Sequence, residues 1–406
     1  MAEANEMLQA KPPSAERASL LELAILFLRL GTTAFGGPAA HIAIMEDEFV
    51  RRRRWITQEK FLDLLGAVNL IPGPNSTEMA IYIGYLRAGW AGLVVAGVCF
   101  IVPAMLMVMG IAWAYVRYGS LPQFEALLYG VKPVVIAVIL QALWGLGRKA
   151  VKTKVLAGIG LLAVAAAGFF AVDALAVILV GGVMAGLTRC GTQQQGRRLK
   201  PVLVMLVIAG GILAFSFFAA RLGNTAKVQV GLPPLFLYFL KIGSVLYGSG
   251  YVLLAFLQTD LVARWHWLTS AQLLDATAVG QVTPGPVFTT ATFIGYVLGR
   301  WPGALLATVA IFLPSFVFVA LSGPLIPRLR KSSMAGAFLD GVNVASLALM
   351  AVVTWQLGRA AIVDLPTALL TTAAAILLVR FRVNSAWLVL GGAAIGFALQ
   401  AAHLGG

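Results

Sequence analysis

Gly66-Ala67-Val68-Asn69-Leu70-Ile71-Pro72-Gly73-Pro74-Asn75-Ser76-Thr77-Glu78-Met79-Ala80-Ile81-Tyr82-Ile83-Gly84 is the stretch whose reading decides the fold. Two apolar arms, each too short to span a bilayer as a helix, flank Pro72-Gly73-Pro74. Neither proline has an N–H to donate, and each pushes the residue before it out of the helical region. The pattern predicts a break. The chain then restarts with Asn75-Ser76-Thr77-Glu78, which reads as a capping box with Asn75 at the N-cap and Glu78 three residues on. A helix that starts at membrane depth offers unpaired N–H groups and a partial positive charge, both suited to an anion. The same device returns at Thr283-Pro284-Gly285-Pro286.

Composition sets the solvent. Of 406 residues, 60% are hydrophobic and only 11% charged, less than half the charge of an ordinary soluble domain. Apolar stretches long enough to span a bilayer recur, so the chain reads as a polytopic helical membrane protein. Its net charge of +14 sits in short loops between apolar segments, which is the positive-inside pattern and excludes nucleic acid as the expected partner. Cys99 and Cys190 lie far from any metal spacing, and no cleavable leader is expected in Met1 to Ser19.

The chain is a duplication. Phe27-Leu28-Arg29-Leu30-Gly31 matches Phe239-Leu240-Lys241-Ile242-Gly243, 212 positions on. The same offset joins Glu48 to Asp260, Arg52 to Arg264, Trp55 to Trp267, Asp63 to Asp275 and Pro72-Gly73-Pro74 to Pro284-Gly285-Pro286. One residue is then dropped, and an offset of 211 carries Ile83-Gly84-Tyr85, Trp90, Pro103, Gly130-Val131 and Gly147-Arg148 onto their partners. A register held this long marks an internal repeat. The expected organisation is a cytoplasmic segment at 1–19, a first repeat at 20–187, a linker at 188–231 with one unmatched crossing at about 201–220, and a second repeat at 232–404.

One unmatched crossing would invert the second repeat. Loop charges agree: cations crowd Arg51-Arg52-Arg53-Arg54, Arg148 to Lys154 and Arg197-Arg198-Leu199-Lys200. In the second half they move to the opposite loops, Arg328-Leu329-Arg330-Lys331 and Arg380-Phe381-Arg382, while Arg264, Arg300 and Arg359 stand outside the pattern. The expected fold is therefore all-α and polytopic: two homologous inverted-topology repeats with broken, re-entrant helices, joined by one extra transmembrane helix. Phe35-Gly36-Gly37-Pro38 is a second break. The N-terminus is placed in the cytoplasm and the C-terminus outside.

Substrate-binding candidates follow from the breaks: Gly73, Asn75, Ser76 and Thr77 in one repeat; Thr283, Gly285, Thr289 and Thr290 in the other. Arg29 and Lys241 hold one repeat position inside apolar helices, where a cation costs about 2.5–3.5 kcal/mol to insert, so its presence in both halves points to use. Two such cations and two helix starts would compensate a dianion. Glu48 with Arg52, and Asp260 with Arg264, are i, i+4 pairs that either lock a helix face or gate. Asp63 and Asp275 admit structural capping or proton coupling; His41, Lys132 and Glu78 complete the coupling candidates. Metalloprotease, P-loop and serine-hydrolase motifs are missing, so no enzyme, cofactor or metal is expected.

Phe35-Gly36-Gly37-Pro38-Ala39-Ala40-His41, the run Val50 to Trp55, and Pro72-Gly73-Pro74-Asn75-Ser76-Thr77-Glu78-Met79-Ala80-Ile81 resemble the chromate ion transporter family in its long two-domain form. The likeness covers nearly all of residues 20–400, and departs at Gly248-Ser249-Gly250, which lacks the proline of the first break. It implies a bacterial inner-membrane protein that exports chromate and confers resistance, with sulfate as a related dianion. Lipid and the dianion are the expected partners, and a homodimer is compatible with the sequence. Charge supports export: a dianion leaving a negative interior gains about 2.3 kcal/mol per charge per 100 mV. A proton-coupled sulfate importer and a passive anion channel are the alternatives, with alternating access expected of a carrier.

Overall fold

A computed structural model describes residues 18–35, 37–69, 71–119, 121–169, 173–190, 229–246, 250–322, 333–381 and 383–404. Every regular element among them is helical. The first repeat runs α1 (Leu20–Thr33), α2 (Gly37–Glu46) continuing into a π-helical turn (Asp47–Arg52), α3 (Gln58–Val68), α4 (Asn75–Tyr118), α5 (Pro122–Ala150), α6 (Lys154–Phe169) and α7 (Ala174–Cys190). The second runs α8 (Leu232–Val245), α9 (Leu253–Leu257), a π-helical turn (Gln258–Arg264), α10 (Ser270–Val282), α11 (Thr290–Ser322), α12 (Ser333–Ala361), α13 (Leu365–Arg380) and α14 (Ser385–Leu404). The offsets of the sequence reappear in these bounds. α1 and α8 start and stop 212 residues apart; α5 and α12, like α6 and α13, do so at 211. Local caps recur as well, with Thr153 on the N–H of Leu156 and its counterpart Asp364 on that of Thr367.

α4 is not a single rod. Ala88 and Gly89 leave helical geometry, Gly89 at φ 62°, and the chain doubles back on itself. A methyl built on Gly84 would meet the backbone of Gly92, one on Gly92 would meet Gly84, and one on Gly97 would meet Ile81. The arms 75–87 and 90–118 are therefore antiparallel neighbours. At 1.5 Å per residue the first arm reaches about 20 Å, short of a hydrocarbon core of roughly 30 Å. It is buried on all sides from Ser76 to Gly84, whereas the second arm exposes Trp90, Val94, Val98 and Leu106 along one side. The short arm is thus enclosed by protein, while the longer arm keeps one apolar face exposed. α11 reverses in the same way at Gly299–Arg300, with Gly295 against Gly303. Arg300 holds φ 54° where the first repeat has glycine.

The two repeats interlock. α5 packs on α14 where a methyl on Gly130 would strike the carbonyl of Gly392; α7 packs on α12 where one on Gly341 would strike that of Gly181. Positions 130 and 341 are repeat equivalents, as are 181 and 392, so each contact is the other with the repeats exchanged. Small residues let backbones meet closely, the usual source of helix association in lipid. Tyr129 donates to Asp364 Oδ2 (2.6 Å) and Lys152 to Asp340 Oδ1 (2.8 Å) across the same boundary. One buried apolar cluster draws residues from both repeats, from Ile101 to Val389. The unmatched crossing expected at about 201–220, the cation cluster Arg328 to Lys331, residues 247–249 of the departing break and most of the segment 1–19 lie outside the described residues.

Candidate anion site

Each Pro-Gly-Pro break is tied to the other repeat. The N–H of Gly73 donates to the carbonyl of Leu246 at 2.8 Å, and the N–H of Gly285 donates to that of Ala34 at 3.0 Å. Ala34 and Leu246 are the residues that end α1 and α8, 212 apart, so this exchange is reciprocal too. Both glycines have positive φ, 139° and 92°, which glycine alone adopts freely. His41 donates through Nε2 to the same Ala34 carbonyl at 3.0 Å, buried against the edge of Phe100. The early histidine thus braces the end of α1 and, through it, the second break.

The capping box does not form. Pro74 takes the N-cap position and accepts from the N–H groups of Thr77 and Glu78, with no side chain capping the helix. Two successive restrictions on φ at Pro72 and Pro74 set the break one residue earlier than the Asn75 pattern implied. Asn75 turns its amide back to Asn69 Oδ1 (2.5 Å), and Glu78 points the other way, toward Gly73.

Here the symmetry ends. At the first break, among the described residues, Asn75 Oδ1 and Thr77 Oγ1 are buried without a hydrogen bond, and the buried Glu78 carboxyl has only Ser315 Oγ, from the other repeat, as a side-chain partner. A methyl on Gly73 would fall on Glu78 Oε1 and Ser315 Oγ, so glycine is what lets these groups converge. Ser76 is buried beside them. At the second break the corresponding hydroxyls are engaged. Thr283 donates to Val279 (2.9 Å), Thr289 to Pro286 (2.8 Å) and Thr290 to Val287 (2.8 Å), all along their own backbone. Gly285 packs against Ala104 and the carbonyl of Gly31. Of the expected residues on this side, Thr283, Thr289 and Thr290 direct their hydroxyls to the preceding turn, as short hydroxyls in helices do, and the Gly285 N–H is taken by Ala34.

Arg29 and Lys241 differ for a reason the acids explain. Lys241 Nζ lies 3.8 Å from the buried Asp260. Asp260 corresponds to Glu48, yet Glu48 goes to Arg53, Nε–Oε1 2.7 Å. Arg53 corresponds to Trp265, which has no charge to offer, so Asp260 falls to Lys241 while Arg53 takes Glu48 and also binds Glu22. Arg29 is left without an ion pair among the described residues. It is exposed, and with Thr33, Asp47, Glu48 and Arg52 it lines a groove of about 390 Å³ between α1 and the π-helical turn. The expected i, i+4 pairs Glu48–Arg52 and Asp260–Arg264 are likewise corrected. Asp47 binds Arg52 (2.7 Å), Glu48 binds Arg53, and Glu46 binds Arg51 (3.5 Å), each five apart. The π turn bonds i to i+5, as Arg53 N to Glu48 O and Trp265 N to Asp260 O display, and the side chains follow.

Asp275 joins the repeats. Its Oδ1 lies 3.5 Å from Lys132 Nζ and its Oδ2 accepts from Tyr115 at 3.0 Å, so α10 of one repeat is held to α4 and α5 of the other. At the repeat-equivalent position of Lys132 stands Asn343, and Asp63, the counterpart of Asp275, is half-buried in α3. Reading the sequence alone passed over Arg53, Ser315 and Tyr115. A signal was present for the first two: Arg53 stands where the second repeat has Trp265, and Ser315 where the first has Ala104.

Comparison with known proteins agrees with the geometry of a duplicated membrane protein. A model of the chromate transporter family matches residues 21–187 and again 234–397. A chromate transport protein of Cupriavidus metallidurans is 34% identical over 380 residues, covering 93% of this chain and 92% of the relative. A probable chromate transport protein of Synechococcus elongatus is 32% identical over 87% of this chain and 88% of its own length. That of Pseudomonas aeruginosa is 31% identical over 86% and 83%. No solved structure matches. With its two matched segments, its interlocked helical repeats and relatives above 30% identity along most of its length, the chain belongs to the chromate transporter family.

Proposed function

We propose that the protein carries chromate, and sulfate-like dianions of the same shape, outward across a bacterial inner membrane. The carrying observation is the set of buried polar atoms at the first break, among them Thr77 Oγ1 and Ser315 Oγ; Arg29, without an ion pair among the described residues, lines a groove in the same repeat. Arg29 on α1 draws the dianion into the groove, and the first break receives it through the N–H groups of Asn75 and Ser76 and the hydroxyls of Thr77 and Ser315. Lys241, engaged with Asp260, holds its repeat in shape and is not a ligand in this reading. The reciprocal glycine contacts and the switch of loop cations support inverted repeats, with the N-terminus in the cytoplasm and the C-terminus outside. Alternating access is rocking of one repeat on the other, with Asp275–Lys132–Tyr115 as a latch that opens and closes. The membrane potential drives exit.

Chromate accumulation by cells carrying the wild type, Arg29→Ala or Asn75→Ala tests the site. Each variant is expected to raise cellular chromate several-fold toward the level of cells with no transporter, while remaining in the membrane in normal amount. If both protect as the wild type does, the anion binds elsewhere.

A further inference from the structure

We propose that the first break binds its dianion together with a proton, which Glu78 holds. The proposal rests on the reading of that break as the anion seat. Glu78 lies in the first turn of a helical arm, fully buried, with the Ser315 hydroxyl of the other repeat as its side-chain neighbour and no cation beside it among the described residues. Ser315 Oγ meets Glu78 Oε1 beside Gly73, and Thr77 Oγ1, on the same turn of the arm as Glu78, is buried without a partner among the described residues. A carboxylate here would occupy the place prepared for an incoming anion, since both are stabilised by the same unpaired N–H groups.

No fixed cation neutralises it. The elements packed against this arm carry Glu22 and Arg29, His41, Asp63, Asp275 and Arg300, with the half-buried Glu46 and the exposed Glu59 and Lys60 near their ends. Among the described residues, none of these is within ion-pair distance of Glu78: Glu22 is held by Arg53, Glu46 by Arg51, Asp275 by Lys132, and His41 by the Ala34 carbonyl. The second repeat has threonine at the position of Glu78, so the carboxyl is a feature of this break and not of the fold. A buried carboxyl with no cation is compensated by a proton.

The sign of the coupling follows from electrostatics. A dianion beside a carboxylate is repelled, whereas beside a carboxylic acid it gains an O–H donor. Proton and dianion therefore bind with positive cooperativity, each raising the affinity for the other. The proton comes from water on the side from which the anion arrives and is returned to water where the anion leaves. Both move in one direction, and each dianion carries one net negative charge across the membrane instead of two.

The test uses purified full-length protein and chromate on the alkaline side, where it is wholly the dianion. Wild-type Kd is expected to rise toward tenfold per pH unit. Glu78→Gln, a permanent neutral donor, is expected to bind with little dependence on pH and more tightly than the wild type when alkaline. In weakly buffered solution the wild type should take up close to one proton per chromate bound. A flat wild-type profile, or a Glu78→Gln profile as steep as the wild type, would overturn the proposal. If Glu78→Gln does not fold, wild-type proton uptake decides alone, and its absence overturns the proposal. Failure of the anion seat itself looks different: Thr77→Ala and Arg29→Ala would then bind chromate as the wild type does.

Discussion

At the scale of single residues, the candidate site occurs where the repeats disagree. Arg53 against Trp265, Ser315 against Ala104, Glu78 against threonine and Lys132 against Asn343 are each a charge or hydroxyl present on one side only. These contrasts are legible in the sequence once the repeats are aligned. What they do is not, because it depends on which partner each charge reaches. The i, i+4 rule assigns Glu48 to Arg52, and only the π turn reveals that Arg53 takes it and leaves Arg29 without an ion pair among the described residues. A prediction follows for a residue outside the groove. Arg53→Leu frees Glu48 to pair with Arg29, and chromate KM should rise about fivefold, the equivalent of about 1 kcal/mol for a partly exposed pair. Glu48→Gln added to Arg53→Leu should restore KM, since the competing carboxylate is gone. Transport kinetics of the single and double variants check it; no rescue would mean that Arg53 acts through Glu22 or its stacking on Trp55.

At the scale of elements, the proline-flanked breaks and the arms around them were readable because proline and glycine act locally. The reversal at Ala88–Gly89 was less so. The sequence separates an arm ending near Gly84 from a span starting at Trp90, but helical propensity runs straight through, and nothing local says that the chain folds back. That information lies in Gly84 and Gly92, eight apart, whose backbones touch only in the reversed form. Gly84→Ala and Gly92→Ala should each force the arms apart and cost about 1–3 kcal/mol, the usual range for overpacking. Gly110, with open space around its Cα, supplies the contrast: Gly110→Ala should be neutral or stabilising by up to about 1 kcal/mol. Thermal unfolding of the detergent-solubilised protein, followed by size-exclusion chromatography, ranks the three. If Gly92→Ala behaves like Gly110→Ala, the arms are not in contact. The reversal at Ala88–Gly89 would then need to be redrawn as one continuous helix.

At the scale of the molecule, pseudo-symmetry builds a frame, and its local failures leave one cluster of buried polar groups inside it, the seat proposed above. Two reciprocal glycine contacts and two reciprocal break-to-helix hydrogen bonds make the halves equivalent as scaffolding. Repeat register foreshadowed that equivalence, but not that each repeat would complete the other's break, since contact partners across a duplication are not written in either copy. A single seat with an acidic group has an energetic consequence for the whole carrier. At 100 mV a free dianion is worth about 4.6 kcal/mol, and a dianion with one proton about 2.3 kcal/mol. With a factor of ten for each 1.4 kcal/mol, the limiting concentration ratios are about 2,000 and about 40. Proteoliposomes clamped near 100 mV by a potassium gradient, with no pH difference, separate the two. Wild-type protein should stop near the lower ratio and Glu78→Gln near the higher one, because the variant moves the anion without a proton. A wild-type ratio in the thousands would mean that the dianion leaves alone. A ratio near one for both proteins would mean that the potential does no work on the cargo, and outward transport would need another source of energy.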